Sequence, residues 1–139
     1  MTPRNGGCLC GKIRFTVSAD PIISGACYCR DCQYVAGGGA AYGMMVPTEA
    51  LSITRGEATL FVVTSDRGTK VVRAFCPDCG VHLFSYNDAN ADFRSVKIGA
   101  MDDPENFQSQ GTVWAASAQP WHHIDRSLMV IDGNPEFQV

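Results

Sequence analysis

Seven cysteines in a chain of 139 residues fall into three clusters, and none stands alone. Cys8-Leu9-Cys10 is a C-x-C, Cys27-Tyr28-Cys29-Arg30-Asp31-Cys32 is a C-x-C-x-x-C, and Cys76-Pro77-Asp78-Cys79-Gly80 is a C-x-x-C closed by glycine. An odd number cannot all pair within one chain. The first eight residues lack the apolar core of a signal peptide, so a reducing, cytoplasmic setting is expected. Metal binding, thiol chemistry and plain burial remain as reasons for the cysteines.

The C-x-x-C is the most specific of the three. Two thiolates on one zinc each lie about 2.3 Å from the metal, and a tight turn brings them together with backbone N–H groups facing the sulfurs. Pro77 sets the first bend and Gly80 permits a positive φ. A thioredoxin-type redox pair usually opens a helix within a βαβ unit. This pair sits between two strand-like runs, which favours zinc.

Two ligands do not close a tetrahedral site, so Cys76 and Cys79 need partners. In an extended C-x-C both side chains point to one face, which qualifies Cys8/Cys10 and Cys27/Cys29 as donor pairs. Seven ligands divide naturally as four and three. A four-cysteine site is structural, whereas a three-ligand site leaves a position for water or substrate. Cys27, Cys29 and Cys32 are the natural open site, and Cys8, Cys10, Cys76 and Cys79 the closed one. Three alternatives stay open: ordinary buried thiols, one zinc beside three redox-active thiols, and a second closed site completed by His82, His122 or His123.

The elements that must position these clusters read as short strands. Lys12 to Val17 alternates, with Ile13, Phe15 and Val17 on one face. Further strands are expected at 22–27, 40–46, 51–54, 58–64, 69–75, 81–86 and 93–98. Arg55-Gly56-Glu57, Ser65-Asp66-Arg67-Gly68 and Asn87-Asp88-Ala89-Asn90 read as turns. Helical periodicity is weak. Short turns are expected after Asp31 and around 102–107, where Asp102 or Asp103 could cap. The expectation is a mostly-β single domain over residues 1–139.

Composition is consistent with this. A hydrophobic content of 45% with 18% charged residues excludes a disordered tail protein. A formal charge of -3, without a basic excess, argues against a nucleic-acid partner. No stretch approaches the roughly 20 apolar residues of a membrane helix. Seven thiolates with two zinc ions would lower the formal charge of -3 to about -6. Arg30, beside the open cluster, could offset part of that charge and contact an anionic ligand.

At this point the pattern resembles the glutathione-dependent formaldehyde-activating enzyme family, which includes centromere protein V. The matching elements are Gly7-Cys8-Leu9-Cys10-Gly11 leading into Ile13-Arg14-Phe15, then Cys27 to Gln33, then Phe75-Cys76-Pro77-Asp78-Cys79-Gly80 leading to Leu83-Phe84. Their order and spacing agree over roughly residues 5 to 125, with a looser likeness from Trp114 to Ile124. The resemblance implies a β-tent fold of small antiparallel sheets built around a structural zinc. It implies two zinc ions per chain with the same four-plus-three division, the three-cysteine one being catalytic. Lacking one ligand, a three-cysteine site is expected to release its metal more readily than the closed one. The resemblance also implies condensation of formaldehyde with glutathione to S-hydroxymethylglutathione, formally carbon–sulfur lyase chemistry. The sequence departs from the family at Tyr28 and Val113, where histidine is frequent, which bears on the pocket and its substrate.

An open three-cysteine zinc suits thiol binding better than hydrolysis, since three anionic sulfurs weaken the metal as a Lewis acid. The expected function is therefore a zinc-dependent enzyme acting on thiol–carbonyl adducts, with a small thiol such as glutathione as partner. The alternative is a non-catalytic glutathione carrier or zinc-built binding module, and a thiol redox sensor is a third reading. Gly37-Gly38-Gly39 is expected to be a flexible connector, Trp114 and Trp121 to be core or pocket residues, and His122-His123 to lie at the surface. Arg14 and Arg73 are expected to face solvent.

Overall fold

A computed structural model describes residues 3–135. The expected domain span of 1–139 includes residues 1, 2 and 136–139, which lie outside that range.

The chain is mostly β, as its alternation predicts. Strands β1 (Arg4–Gly7), β2 (Arg14–Val17), β3 (Ile23–Cys27), β4 (Ala41–Pro47), β5 (Leu51–Arg55) and β6 (Thr59–Thr64) occupy the first half. Strands β7 (Lys70–Phe75), β8 (His82–Asn87), β9 (Phe93–Lys97), β10 (Gly111–Val113) and β11 (Met129–Val130) follow. One short helix, α1 (Arg30–Val35), joins β3 to β4. A three-stranded antiparallel sheet has the order β1-β2-β5, and an eight-stranded sheet runs β11-β10-β3-β4-β9-β8-β7-β6. The larger sheet is antiparallel except at one edge, where β10 runs parallel to both β3 and β11.

The core lies where the two sheets meet. Ile13, Phe15 and Val17 are fully buried by the alternation read from the sequence. Around them pack Met44 and Val46 of β4, Leu83 of β8 and Val96 of β9. Cys8 and Cys76 belong to the same cluster, so one cysteine group is rooted in the core. The bidentate pair of Arg14 with Asp102 links β2 to the segment after β9, and Asp102 N–H donates to Asn5 O at 2.9 Å nearby.

Two expectations are corrected here. The Arg55-Gly56-Glu57 turn lies between two strands as expected, and it joins the two sheets: β5 pairs with β2, whereas β6 crosses to the larger sheet and pairs with β7. Asp102 caps no helix because its carboxylate is taken by Arg14, and Asp103 precedes a 3-10 turn (Pro104–Asn106) without a side-chain cap. Arg14 consequently does not point free into solvent; its side chain is 34% exposed and ion-paired. The hairpin at Ser65 to Gly68 forms as expected, with Ser65 N–H donating to Thr69 O at 2.8 Å.

Candidate functional site

The structure brings the cysteines together in two groups, and they are the four and the three expected from ligand counting. In each group the sulfurs all lie within 4.8 Å of one another. In the first, Cys8 Sγ is 3.6 Å from Cys10 Sγ, and Cys10 Sγ is 3.7 Å from Cys76 Sγ. A tetrahedron with arms of about 2.3 Å has edges of about 3.8 Å, so these separations fit a single zinc. They are far too long for disulfides, whose sulfurs sit about 2 Å apart.

Two similar turns build this four-sulfur group. Cys8 N–H donates to Ile13 O at 3.1 Å, and Cys76 N–H donates to Val81 O at 3.0 Å, five residues on in each case. Gly11 at φ 79° and Gly80 at φ 76° take the left-handed conformation that each turn needs. Cys8 and Cys10 thus meet through a tight turn, whereas the same-face rule of an extended strand was the expectation. Backbone N–H groups point at the sulfurs: Ile13 N–H donates to Cys8 Sγ at 3.3 Å, and Asp78 N–H to Cys76 Sγ at 3.4 Å. Four crowded thiols share protons unequally. Backbone N–H groups of Cys10 and Val81 bring Cys79 down to about 6. Cys10 rises to about 11, since burial and the neighbouring sulfurs outweigh the Lys12 N–H that lowers it. A divalent cation would favour the thiolate form of all four.

The three-sulfur group forms where β3 runs into α1. Cys27 ends the strand, and Cys29 caps the helix by accepting from Cys32 N–H at 3.4 Å. Gln33 fastens that helix. It is buried, and its Nε2 donates to Tyr28 O at 2.7 Å and to Ser117 O at 2.9 Å. Its Oε1 accepts from Arg30 Nη1 at 2.6 Å and from Gln119 Nε2 at 3.1 Å. Hydrogen bonds from Cys27 and Cys29 hold Cys32 well below the usual thiol range against the effect of burial, aided by the charges of Lys97 and Arg73. Cys27 is pushed up by its hydrogen bonds to the other two sulfurs and by burial.

These three cysteines border a cavity of about 410 Å³. Its floor is one face of the eight-stranded sheet, and strand register shows why it is open. Arg73 stands opposite Ser85, Ser85 opposite Ser95, and Ser95 opposite Met45. One step along, Lys97 stands opposite Gly43, which stands opposite Gly25, while Cys27 stands opposite Ala41. Small side chains at five of these positions leave room above the sheet, whereas the reverse face carries the core residues Met44 and Val96.

Arg73 corrects the sequence reading. It is 7% exposed, not solvent-facing, because the face opposite Val72 and Ala74 meets the cavity and not bulk water. Lys97 was not anticipated at all. It also lines the cavity, and burial followed by repulsion from Arg73 lowers its basicity against the pull of the nearby sulfurs. The available signal was a cation in strict alternation with a buried residue on two strands. Arg30 also lines this cavity, with its guanidinium 4.8 Å from the Tyr34 ring centroid.

The remaining candidates separate clearly. Trp114 lines the cavity in a left-handed conformation, φ 56°, and its Nε1 donates to Asn134 Oδ1 at 2.8 Å. Trp121 lies outside it, 65% exposed, against the His122 ring. Val113 lines the cavity, but Tyr28 points the other way; its hydroxyl donates to His123 O at 3.2 Å. No histidine joins either sulfur group among the described residues. His122 is committed elsewhere, accepting from Gln119 N–H at 2.8 Å and donating to Gly38 O at 2.7 Å. Gly38 N–H in turn donates to Gln33 O, so the glycine run closes the helix end and does not border the cavity.

Residues 3–117 match the family model described as glutathione-dependent formaldehyde-activating enzyme. An Emericella nidulans protein named "putative glutathione-dependent formaldehyde-activating enzyme" is 29% identical over 104 residues, covering 75% of this chain and 52% of that protein. A Penicillium rubens protein of the same name is 30% identical over 105 residues, covering 69% and 54% respectively. The chain thus spans about half the length of these curated relatives. A crystal structure of a Rhodobacter sphaeroides protein shares the fold, with a TM-score of 0.57 and 20% identity over 70% of this chain and 87% of that one. Among the described residues no helix is long and apolar enough to cross a membrane.

Proposed function

The chain belongs to the glutathione-dependent formaldehyde-activating enzyme family, and from that premise we propose that it joins a small thiol to formaldehyde in the cavity bordered by Cys27, Cys29 and Cys32. The thiol sulfur bonds to the carbonyl carbon, the C=O π bond opens, and the thiol proton ends on the carbonyl oxygen. With glutathione the product is S-hydroxymethylglutathione. In reverse the same step is carbon–sulfur lyase chemistry.

The observation that carries this reading is three convergent sulfurs at the edge of a cavity large enough for a small peptide-like ligand. Such a donor set, one short of tetrahedral closure, fits an open zinc site. Cys8, Cys10, Cys76 and Cys79 fit a closed, structural one, which gives two zinc ions in a single β-tent domain. When bound at the three-cysteine group, zinc would favour the thiolate form of an incoming thiol at neutral pH. The chain's own residues do the rest. Gln33 holds α1 and thereby the spacing of Cys29 and Cys32. Met45 and Val113 present apolar walls that limit water, and Arg30 at the rim can meet an anionic group on the thiol.

Exchange NMR on a mixture of glutathione and formaldehyde measures adduct formation with and without the protein. The expected result is a faster rate that is lost in Cys32→Ser. Equal rates despite saturable glutathione binding would make the protein a carrier, not an enzyme.

A further inference from the structure

Strand β6 closes one end of the larger sheet, and among the described residues no strand pairs with its outer side. An edge strand offers a row of unpaired N–H and C=O groups, which soluble proteins blunt with charge, proline, a bulge or shortness. The other edges follow that rule: β11 is two residues long, β5 ends on Arg55 and β1 carries Arg4. β6 does not. Thr59-Leu60-Phe61-Val62-Val63-Thr64 holds no charge, proline or glycine, and its pairing with β7 runs unbroken from Thr59 opposite Phe75 to Thr64 opposite Lys70. Leu60, Phe61 and Val62 are each more than half exposed. Successive side chains take opposite faces, so apolar surface is open on both faces of the strand.

The hairpin decides which backbone groups are free. Ser65 N–H donates to Thr69 O, so by alternation Phe61 and Val63 turn their backbone groups toward β7. Those of Leu60, Val62 and Thr64 turn outward. Lys70 agrees with this phase, since its N–H points away from β6 and donates to Asp88 Oδ1 at 2.9 Å.

This outward row is complementary to itself. A copy laid antiparallel about a two-fold axis at Val62 sets Val62 opposite the partner's Val62 and Leu60 opposite the partner's Thr64. Every outward group of the strand is then paired, and Phe61 meets the partner's Val63 on the other face. The charged flanks agree with the same register. Exposed Glu57 comes level with the partner's Arg67, and Asp66 with the partner's Ala58. Arg67 gives one guanidinium donor to Pro135 O at 3.0 Å and keeps others for a carboxylate.

We propose that β6 is the interface of a symmetric dimer of this chain, in which two eight-stranded sheets join edge to edge. Pairing through one strand lies at or below the roughly 1,200 Å² where stable interfaces begin, so the dimer dissociates in the micromolar range.

Sedimentation equilibrium of the full chain as purified, from about 1 to about 200 μM, reads the association. The mean mass is expected to rise from one chain to two and level there. Val62→Lys weakens the dimer at least about tenfold. Val62→Pro does the same and keeps the fold, because the N–H it removes makes no bond to β7; if it fails to fold, Val62→Lys decides alone. Glu57→Arg weakens association, and Glu57→Arg combined with Arg67→Glu restores it. Amide exchange at Leu60, Val62 and Thr64 slows as concentration rises, while Phe61 and Val63 do not change. A parent that stays monomeric, a mass that climbs past two chains, or a Val62→Lys dimer as tight as the parent would overturn the proposal. So would a charge reversal that fails to restore association. Slow exchange at the three outward amides in the dilute monomer would also overturn it, because the edge would then be covered within one chain.

Discussion

Cys10 Sγ lies 3.7 Å from Cys76 Sγ although 66 positions separate them in the chain. The contact joins the turn after β1 to the turn after β7, and therefore the small sheet to the large one. Cys76 is completely buried in the core cluster, so a metal held here would be fastened to the packing that holds the sheets together. The three-cysteine group is positioned differently. It depends on one short helix and on a buried glutamine.

Cys76→Ser should therefore cost the fold as well as the metal. Loss of a structural metal is among the few causes of large destabilisation, so about 3 kcal/mol or more is expected in urea unfolding. Chelator strong enough to strip the four-sulfur group should lower the thermal midpoint of the parent protein in the same way. Leu9→Ala is the control: Leu9 is 86% exposed between Cys8 and Cys10, and its change should stay within about 0.5 kcal/mol. A Cys76→Ser protein as stable as the parent would contradict a structural site.

Gln33→Ala should loosen α1 without touching a sulfur. The substitution leaves the carbonyls of Tyr28 and Ser117 without their donor, and each unsatisfied buried group costs about 1–3 kcal/mol. Amide exchange across 30–35 should speed up, and metal retention at Cys27, Cys29 and Cys32 should fall while the four-sulfur group keeps its ion. Unchanged exchange in that segment would show that the helix is held by other contacts.

Much of this arrangement is legible in the sequence. The burial of Ile13, Phe15 and Val17 follows from alternation, and the division of the cysteines follows from how many ligands a zinc site takes. Arg73 shows where that reasoning stops. Alternation with Val72 and Ala74 places it on the far face of β7, but only the neighbouring strands decide whether that face meets water or a cavity. Lys97 is hidden for the same reason. The parting of β5 from β6 was illegible because the turn at Gly56 looks locally like any hairpin turn. The parallel pairing of Gly111–Val113 with β3 rests on three residues, too few to carry a pattern.

The Arg14–Asp102 pair predicts a pH dependence. The Arg14 guanidinium holds the Asp102 carboxyl below its ordinary value of 3.8. A carboxyl depressed in the folded state stabilises above its unfolded value and loses that contribution as pH falls through the folded one. The parent should thus lose stability below about pH 4 faster than Asp102→Asn. Because both side chains are solvent-accessible, the difference at neutral pH should stay below about 1 kcal/mol. Unfolding curves collected from pH 7 to pH 3 check it, and identical acid limbs would show that the pair carries no stability.

The most direct test of the four-plus-three division is zinc per chain, measured by elemental analysis on parent protein and on Cys32→Ser purified without chelator. The account predicts about two ions in the parent and about one in a folded Cys32→Ser, with brief mild chelation taking the parent from two to one. A parent that holds one ion, or a Cys32→Ser protein that still holds two, would contradict it.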